Sequence, residues 1–326
     1  MKRLLTGFKP TGELTIGNYI GVIKQILEYQ KEYETYVFVA DLHSLTVDNN
    51  VEDLKRNIRD FAALFIATGV SNNNSVLYVQ SDCPYITAVS WLLECSTYYG
   101  EMSRMIQFKA KSKNNDNFTV GLFTYPALMA SDILVVDSEI VPVGIDQKQH
   151  VELTRDVAIR FNNKYGNTFV IPEAKTNDVG IKIMDLQDPT KKMSKTEESK
   201  KGVISLLDSL EDARKKIMGA TTDSESIIKY DEKNKPGISN LLNIYSGLTD
   251  IPIKDIENKY KGSNYGEFKK ALADIVVSFL DDLQTKYKYI IENNEVDYIL
   301  DTGSKKVNEM AKQKYETMRN KMGIIR

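Results

Sequence analysis

Two lysines that flank a small hydroxyl residue form the most chemically suggestive stretch of the chain, Lys192-Met193-Ser194-Lys195-Thr196. Lysines at this spacing can neutralise adjacent phosphate oxygens, and the serine hydroxyl between them can donate a hydrogen bond. A basic pentapeptide alone is more often a solvated surface turn than a catalytic element. The stretch therefore predicts phosphate handling only together with a second nucleotide signal.

That second signal lies near the N-terminus, where Pro10-Thr11-Gly12 precedes Leu14-Thr15-Ile16-Gly17-Asn18-Tyr19-Ile20-Gly21. Gly17 and Gly21 share one face of a predicted helix, so a purine and its ribose can approach the helix backbone closely. The amino end of that helix also presents unpaired N–H groups and a positive dipole to phosphate. Tight packing of the helix on a sheet is the simpler explanation for Gly21 alone, but not for the whole string.

These residues need a scaffold, and the first half of the chain alternates between two periodicities. Short apolar runs predict strands, whereas apolar residues three and four apart predict helices. The alternation predicts an α/β fold, a doubly wound parallel sheet with helices on both faces. The predicted strands cover 2–5, 35–40, 76–79 and 139–143, and the predicted helices begin near Gly17, run through 54–65 and cover 146–163.

Two parts of the chain depart from this alternation. From Trp91 to Ser138 the pattern is mostly helical, which predicts an insertion into the sheet domain. After Lys201 strand signals are nearly absent, so we predict a second, all-helical domain. Its helices are predicted at 204–218, 238–245, 268–291 and 298–322.

The charge balance limits the possible partners. With 43 Lys and Arg against 45 Asp and Glu, no global field drives the chain onto nucleic acid or an anionic membrane. Residues 301–326 hold seven Lys or Arg and three acids, which predicts either an RNA footprint or a solvated helix face. The apolar stretch after Met1-Lys2-Arg3 ends at Leu5, and no apolar run is long enough to cross a bilayer, so we expect a cytoplasmic protein without membrane association.

The chain resembles the class I aminoacyl-tRNA synthetases in the two signature motifs of that class. The matching stretches near the N-terminus are Thr6-Gly7-Phe8-Lys9-Pro10-Thr11-Gly12 and Thr15-Ile16-Gly17-Asn18, and the matching stretch in the lysine loop is Lys192-Met193-Ser194-Lys195-Thr196. Further strings narrow the resemblance to the bacterial tryptophanyl-tRNA synthetase family, and the likeness covers essentially the whole chain. These strings are Gly121-Leu122-Phe123-Thr124-Tyr125-Pro126, Met129-Ala130-Ser131-Asp132-Ile133-Leu134, Val141-Pro142-Val143-Gly144-Ile145-Asp146-Gln147-Lys148-Gln149-His150 and Lys235-Pro236-Gly237-Ile238-Ser239-Asn240-Leu241-Leu242.

The resemblance implies that tryptophan and ATP form tryptophanyl-adenylate and pyrophosphate, after which a ribose hydroxyl at the 3′ end of tRNA(Trp) takes the amino acid. The attacking group is the carboxylate of the substrate, so the protein must align the reactants and stabilise phosphate charge. The resemblance gives catalytic roles to Lys192, Ser194, Lys195 and Lys111, with Mg²⁺ carried mainly by ATP oxygens and by no protein side chain. It implies ATP binding by Lys9, Pro10, Thr11, Thr15, Gly17, Asn18, Gly21, Gly144, Ile145, Asp146, Ile183, Lys192, Met193, Ser194, Lys195 and Thr196.

The amino-acid pocket must recognise indole, which is large, flat and apolar except for one N–H donor. Burying that donor requires an acceptor. The resemblance assigns this task to Asp132, which by itself could equally be a surface helix aspartate. A buried acceptor that phenylalanine leaves unpaired would disfavour phenylalanine by ~10⁴ or more. The other implied pocket residues are Leu5, Gly7, His43, Tyr125, Met129, Val141, Val143 and Gln147, with Tyr125 and Gln147 near the substrate amino group.

Four positions depart from the family pattern. Lys9 stands where bacterial members usually carry glutamine and adds a charge beside the expected phosphate site. Leu5 replaces a common phenylalanine, which makes one pocket wall thinner. Thr15 replaces the histidine of the first signature and offers a hydroxyl donor without an imidazolium, and Thr196 replaces the usual final serine.

The resemblance also implies a domain organisation and an assembly. It places a Rossmann-like catalytic domain at 1–190 with a helical insertion at about 85–138, a mobile lysine loop at 191–201, a helical tRNA anticodon-binding domain at 202–295, and a C-terminal helix at 296–326 that packs back on the body. The family implies a homodimer. Two alternatives stay open: a tyrosyl-tRNA synthetase, which shares the fold and both signatures, and a non-catalytic paralogue that binds tryptophan or RNA, which would be expected to lose the loop lysines.

Overall fold

One parallel sheet organises the first half of the chain. The computed structural model describes residues 1–71, 74–112, 118–176, 181–194 and 199–326. Within them, five strands pair in the order β3-β2-β1-β4-β5, all parallel. This order places a topological switch point beside β1, where ligands of such sheets bind at the carboxyl ends of the strands. The strands are β1 (Arg3–Phe8), β2 (Glu34–Val39), β3 (Ser75–Val79), β4 (Ile140–Val143) and β5 (Glu173–Thr176).

The helices cover the sheet and form the remainder of the molecule. The predicted α/β class and the helical C-terminal region are both confirmed. A π-helical turn, Tyr19–Ile23, joins the first two helices, and short 3₁₀ turns occur at Gln80–Asp82, Ile145–Gln147 and Lys200–Gly202. The helices are α1 (Ile16–Asn18), α2 (Lys24–Glu32), α3 (Asp41–Ser44), α4 (Val51–Ala67), α5 (Pro84–Glu94), α6 (Tyr99–Met102), α7 (Ile106–Ser112), α8 (Val120–Val135), α9 (Lys148–Tyr165), α10 (Leu210–Met218), α11 (Pro236–Thr249), α12 (Ile253–Lys259), α13 (Tyr265–Glu292) and α14 (Glu295–Met322).

The prediction of a helix from Ile204 was wrong for its first turn and a half. Helix α10 begins only at Leu210, where the Ser209 side chain accepts from the Asp212 N–H and caps it. The preceding residues are extended instead: Ile16 N–H donates to Ile204 O (3.0 Å), and Leu206 N–H donates to Leu14 O (2.8 Å). The segment that follows the lysine loop is therefore hydrogen-bonded directly to the first signature motif.

The buried apolar side chains of the described residues form two clusters, and one of them joins the sheet to the C-terminal helices. Val37 of β2 and Phe65 of α4 belong to the same buried cluster as Leu241 and Phe268 of the C-terminal helices. The division of the chain near residue 201 therefore stays a prediction. No helix among the described residues is long and apolar enough to span a membrane.

Helix α14 packs on the sheet at very short range. A Cβ at Gly303 would lie 2.0 Å from the Leu77 carbonyl oxygen, so only glycine permits this approach to β3. Several basic side chains of the predicted RNA footprint are engaged with the body, since Lys306 pairs with Glu34 (2.9 Å) and Lys314 with Asp137 (2.6 Å). The basic character of this helix thus serves its docking at least in part.

Candidate active site

A cavity of about 370 Å³ opens at the carboxyl ends of β1 and β4, a size typical of small-molecule sites. The structure brings together every residue predicted for the amino-acid pocket, although their part in binding stays a prediction. The two strands contribute apolar walls, helix α8 contributes one side, and helix α3 contributes His43. The predicted pocket residues that line the cavity are Leu5, Gly7, His43, Tyr125, Met129, Asp132, Val141, Val143 and Gln147.

Asp132 is the most deeply buried charged side chain of this cavity, with no exposed surface. It lies on the largely apolar helix α8, so the alternative of a surface helix aspartate is excluded. His43 Nε2 lies 2.8 Å from Asp132 Oδ2, and the Gln80 amide nitrogen lies 2.8 Å from Oδ1 and 3.0 Å from Oδ2. When the carboxylate is ionised it only accepts, so both neighbours then donate to it, and His43 does so with a proton on Nε2.

The surroundings of Asp132 act on its charge in opposite directions. Burial raises the pKa of the Asp132 carboxyl, because the charged form loses its hydration. The hydrogen bonds from His43 and Gln80 favour the charged form and partly offset that rise. The carboxylate is thus an acceptor held inside an apolar cavity, as recognition of a buried N–H requires.

The structure adds site residues that the sequence analysis missed. Gln80 directly follows β3 and is fully buried behind Asp132, while Gln107 of α7 lines the cavity. A signal for Gln80 did exist: it is the first polar residue after the apolar run Val76–Val79, at the edge of the sheet where sites form.

Tyr125 lies on α8, as Asp132 does, and is paired with a buried histidine. Its hydroxyl lies 2.6 Å from His150 Nε2, and His150 is 1% exposed. The sequence assigned no role to His150 beyond its place in the matching string. Its contact shows that the Tyr125 hydroxyl is held by α9 rather than left to rotate.

Gly7 has a packing reason as well as a predicted binding role. A Cβ at this position would lie 2.3 Å from Cζ of Phe38, well inside van der Waals contact. Leu5, two residues earlier, is 1% exposed. Leu5 and Gly7 face the same side of β1, so the size of both residues shapes this wall of the cavity.

The first signature forms the amino end of α1. Thr15 is buried and makes a reciprocal cap with Asn18: the Asn18 N–H donates to Thr15 Oγ1 (3.2 Å) and the Thr15 N–H donates to Asn18 Oδ1 (2.9 Å). The Thr15 hydroxyl lies 3.1 Å from the same Asn18 oxygen, so it is engaged within the cap. The helix begins at Ile16, in agreement with the prediction of a start near Gly17.

The structure brings the two signature motifs next to one another. A Cβ at Gly17 would lie 3.3 Å from Cβ of Ile183 and 3.7 Å from Sδ of Met193, both predicted nucleotide residues. A Cβ at Gly21 would lie 3.4 Å from the Ile181 carbonyl oxygen, an ordinary contact distance. The glycine face of this helix is therefore directed toward the segment 181–194.

The lysine loop is anchored where it is described. Lys192 bridges to Met184 in an antiparallel pair, and Met193 N–H donates to Ile183 O at 3.0 Å. The Met193 side chain is buried while Lys192 is exposed, so the cation is free to reach a ligand. Lys195, Thr196 and the side chains of Lys111 and Asp146 lie outside the described residues.

Lys9 lines the cavity, and its Nζ lies 3.3 Å from Thr46 Oγ1. Gly144 also lines the cavity, and Ile145 beside it is 77% exposed. Pro10 is buried and Thr11 half-buried in the turn that follows β1. A cation thus lies in the lining of the predicted amino-acid pocket.

Comparison with known proteins assigns the chain to a family. The family model of class I tRNA synthetases for tryptophan and tyrosine matches residues 1–281. A tryptophan–tRNA ligase of Bacillus subtilis is 47% identical over 323 residues, which cover 99% of this chain and 98% of that protein. The tryptophanyl-tRNA synthetase structure from Mycoplasma pneumoniae has a TM-score of 0.84 at 38% identity and covers 99% of this chain and 98% of its own. The structure of the Campylobacter jejuni tryptophanyl-tRNA synthetase in complex with ADP and tryptophan has a TM-score of 0.85 at 34% identity. The match covers 98% of this chain and 99% of that chain. With its cavity at the switch point of the sheet and both signatures side by side, this chain belongs to the class I tRNA synthetases of the tryptophan and tyrosine family.

Proposed function

We propose that this chain is a tryptophan–tRNA ligase, which activates tryptophan with ATP and transfers it to tRNA(Trp). The observation that carries the proposal is the buried Asp132 carboxylate, which accepts from His43 and Gln80 inside an otherwise apolar cavity. Indole supplies the matching apolar surface and the single N–H donor. The high identity to tryptophan–tRNA ligases over the whole chain supports the same substrate.

In the first step, the tryptophan carboxylate attacks the α-phosphorus of ATP, the bond to the β-phosphate oxygen breaks, and pyrophosphate leaves. The protein supplies alignment and positive charge rather than a nucleophile. Lys192 directly precedes Met193, whose sulfur lies near Gly17, and Lys9 lines the cavity. We assign these lysines, with Lys195, Lys111 and the Ser194 hydroxyl, to the phosphates, and magnesium enters as part of the substrate MgATP.

Selection of the amino acid follows from hydrogen bonding. Tryptophan satisfies the Asp132 acceptor, whereas phenylalanine would bury a carboxylate that the substrate leaves unpaired. Sites built around a substrate donor reject the analogue that lacks it by about 10⁴–10⁵. We place Tyr125 and Gln147 at the substrate amino group, because both line the cavity and carry polar groups that can bind an ammonium.

The second step needs tRNA and, by analogy with the family, a second subunit. We propose that 202–295 contacts the anticodon region and that the chain acts as a cytoplasmic homodimer. The segment 85–138 supports a subunit contact, since Trp91 is 64% exposed, Tyr99 is 77% exposed and Ile106 is 62% exposed. Large exposed apolar residues in one region are typical of interaction sites. Sedimentation should therefore give twice the chain mass of 37.0 kDa.

The decisive experiment is amino-acid-dependent exchange of pyrophosphate into ATP. Tryptophan should support exchange, and tyrosine and phenylalanine should not. Exchange with tyrosine alone would identify a tyrosyl-tRNA synthetase, and tryptophan binding without exchange would identify a non-catalytic paralogue. Charging of tRNA(Trp) with labelled tryptophan would then test the second step.

A further inference from the structure

The turn after β3 carries a glutamine that touches the pocket only through Asp132. Gln80 has no exposed surface, and it does not line the cavity. Its amide nitrogen lies within hydrogen-bond distance of both Asp132 oxygens, at 2.8 and 3.0 Å. Gln80 is therefore placed to act on the substrate through Asp132 and not by contact.

The hydrogen bonds recorded for the Asp132 carboxylate leave one acceptor position on one oxygen. An ionised carboxylate has about four lone-pair sites. Among the described residues, Oδ2 takes both the His43 and the Gln80 contact, whereas Oδ1 takes only Gln80. Oδ1 thus keeps a single site for a single donor, which is what an indole N–H requires.

An aspartate side chain does not hold such an arrangement by itself. Its terminal torsion is broad, so the carboxylate can rotate and exchange its two oxygens. His43 contacts only Oδ2, and its Nε2 donates only in the tautomer that carries the proton there. The Gln80 amide spans both oxygens and donates at every pH, because an amide does not titrate.

The backbone that carries Gln80 is itself firmly held. Cys83 N–H donates to the Gln80 carbonyl (3.1 Å), and Cys83 Sγ lies 3.4 Å from the Ser304 carbonyl of α14. The close approach of Gly303 to Leu77 fixes the strand that leads into the turn. The backbone that carries the Gln80 side chain is therefore held from outside the pocket.

We infer that Gln80 is a positioning residue for tryptophan selection, which orients the Asp132 carboxylate so that Oδ1 accepts the indole N–H. This inference rests on the proposed function. It assigns the selectivity of the site to three side chains from three elements, of which one never meets the substrate.

The test compares tryptophan with β-(3-benzothienyl)alanine, in which sulfur replaces the indole N–H at nearly the same shape. Gln80→Met keeps the side-chain length and removes the donor. In pyrophosphate exchange, the ratio of kcat/KM for tryptophan over the analogue should fall about tenfold, as expected for a hydrogen bond to a charged group that loses its geometry. The analogue itself should react as in the parent protein, because it does not use the acceptor.

Gln30→Met is the matched control. Gln30 is also a buried glutamine beside β3. It donates to the Gly69 carbonyl (3.1 Å) and accepts from the Ser75 hydroxyl (3.0 Å), and neither contact involves Asp132. It should cost stability of a similar size and leave the substrate ratio unchanged. A ratio that falls equally in both variants would show a general structural effect and overturn the inference.

The remaining outcomes are also decisive. An unchanged ratio in a folded Gln80→Met protein refutes the role of Gln80 while the proposed function stands. If that variant does not fold, Gln80→Asn, which keeps the amide but withdraws it by one methylene, should give the same fall in ratio, and an unchanged ratio there refutes the role. Absence of tryptophan-dependent exchange in the parent protein would instead refute the proposed function.

Discussion

Asp132→Asn separates the charge of the pocket from its shape. The two side chains are nearly isosteric, so a site with no exposed surface keeps its packing. The hydrogen bonding changes, because a carboxylate only accepts whereas an amide must also donate. Three N–H groups converge on this position: those of His43 and Gln80, and that of the proposed indole.

The expected loss can be worked out from these partners. An amide oxygen has two lone pairs, so it cannot serve three donors. The conflict is resolved if His43 changes tautomer and accepts from the new amide N–H, which leaves the amide oxygen for Gln80 and indole. A charge-assisted hydrogen bond of about 1.5–3 kcal/mol then becomes a neutral one of about 1 kcal/mol. The difference, roughly 0.5–2 kcal/mol, corresponds to an about 2- to 30-fold lower kcat/KM for tryptophan.

The assay is tryptophan-dependent pyrophosphate exchange over a range of tryptophan and ATP concentrations. The KM for ATP should stay within about twofold, because the substitution lies on the amino-acid side. Asp156→Asn, at an exposed aspartate of α9, is the control and should change neither constant. A loss below twofold in a variant that melts normally would show that Asp132 does not accept from the substrate. An equal loss in the use of ATP would indicate general damage to the site.

Three further predictions test other parts of the structure. Lys192→Ala should lower kcat for exchange at least about tenfold with little change in the KM for tryptophan, since the cation is needed most when phosphate charge develops; equal effects on both would indicate ground-state binding instead. At Glu34, burial is outweighed by hydrogen bonds, first that from Lys306, which lower the pKa to about 2. The ionised Glu34 therefore stabilises the fold fully above its unfolded-state pKa near 4.5, and this stabilisation is lost as the pH falls toward 2. In Glu34→Gln the urea midpoint should fall less between pH 5 and pH 3 than in the parent protein. An equal fall in both proteins would contradict this. Gly303→Ala places a Cβ 2.0 Å from the Leu77 carbonyl oxygen and should destabilise the protein by about 3 kcal/mol in urea unfolding, whereas a neutral effect would show that α14 can shift away from β3.

The sequence predicted most of the fold because its strands are short, apolar and buried. It did not predict β5, whose four residues, Glu173–Thr176, include two charged side chains and form a partly exposed edge strand. It also extended α10 too far toward the N-terminus, since the apolar residues of 203–206 fit a helical spacing. Local periodicity could not show that these residues pair with Leu14 and Ile16, which lie almost two hundred positions earlier in the chain.

The sequence predicted those site residues that belong to family-like motifs or that a chemical group of the ligand requires. Physical reasoning asked for a buried acceptor, and the structure buries Asp132 completely. It could not predict Gln80, because a polar residue after a strand is common and its role depends on which side chains of neighbouring elements it contacts. The same limit applies to His150, whose contact with Tyr125 joins two helices that the sequence describes separately.

The register of the sheet determines whether this site can exist. Val39 of β2 and Val79 of β3 are paired directly, and each is the last residue of its strand. Gln80 follows this pair at once, and His43 follows it within one turn of helix, so the two donors emerge at the same edge and meet Asp132 there. Side chains alternate between the faces of a strand, so a slip of one residue would direct Gln80 away from α8. The close packing of Gly303 on Leu77 opposes such a slip, and in this way a helix from the far end of the chain helps to set the choice of amino acid.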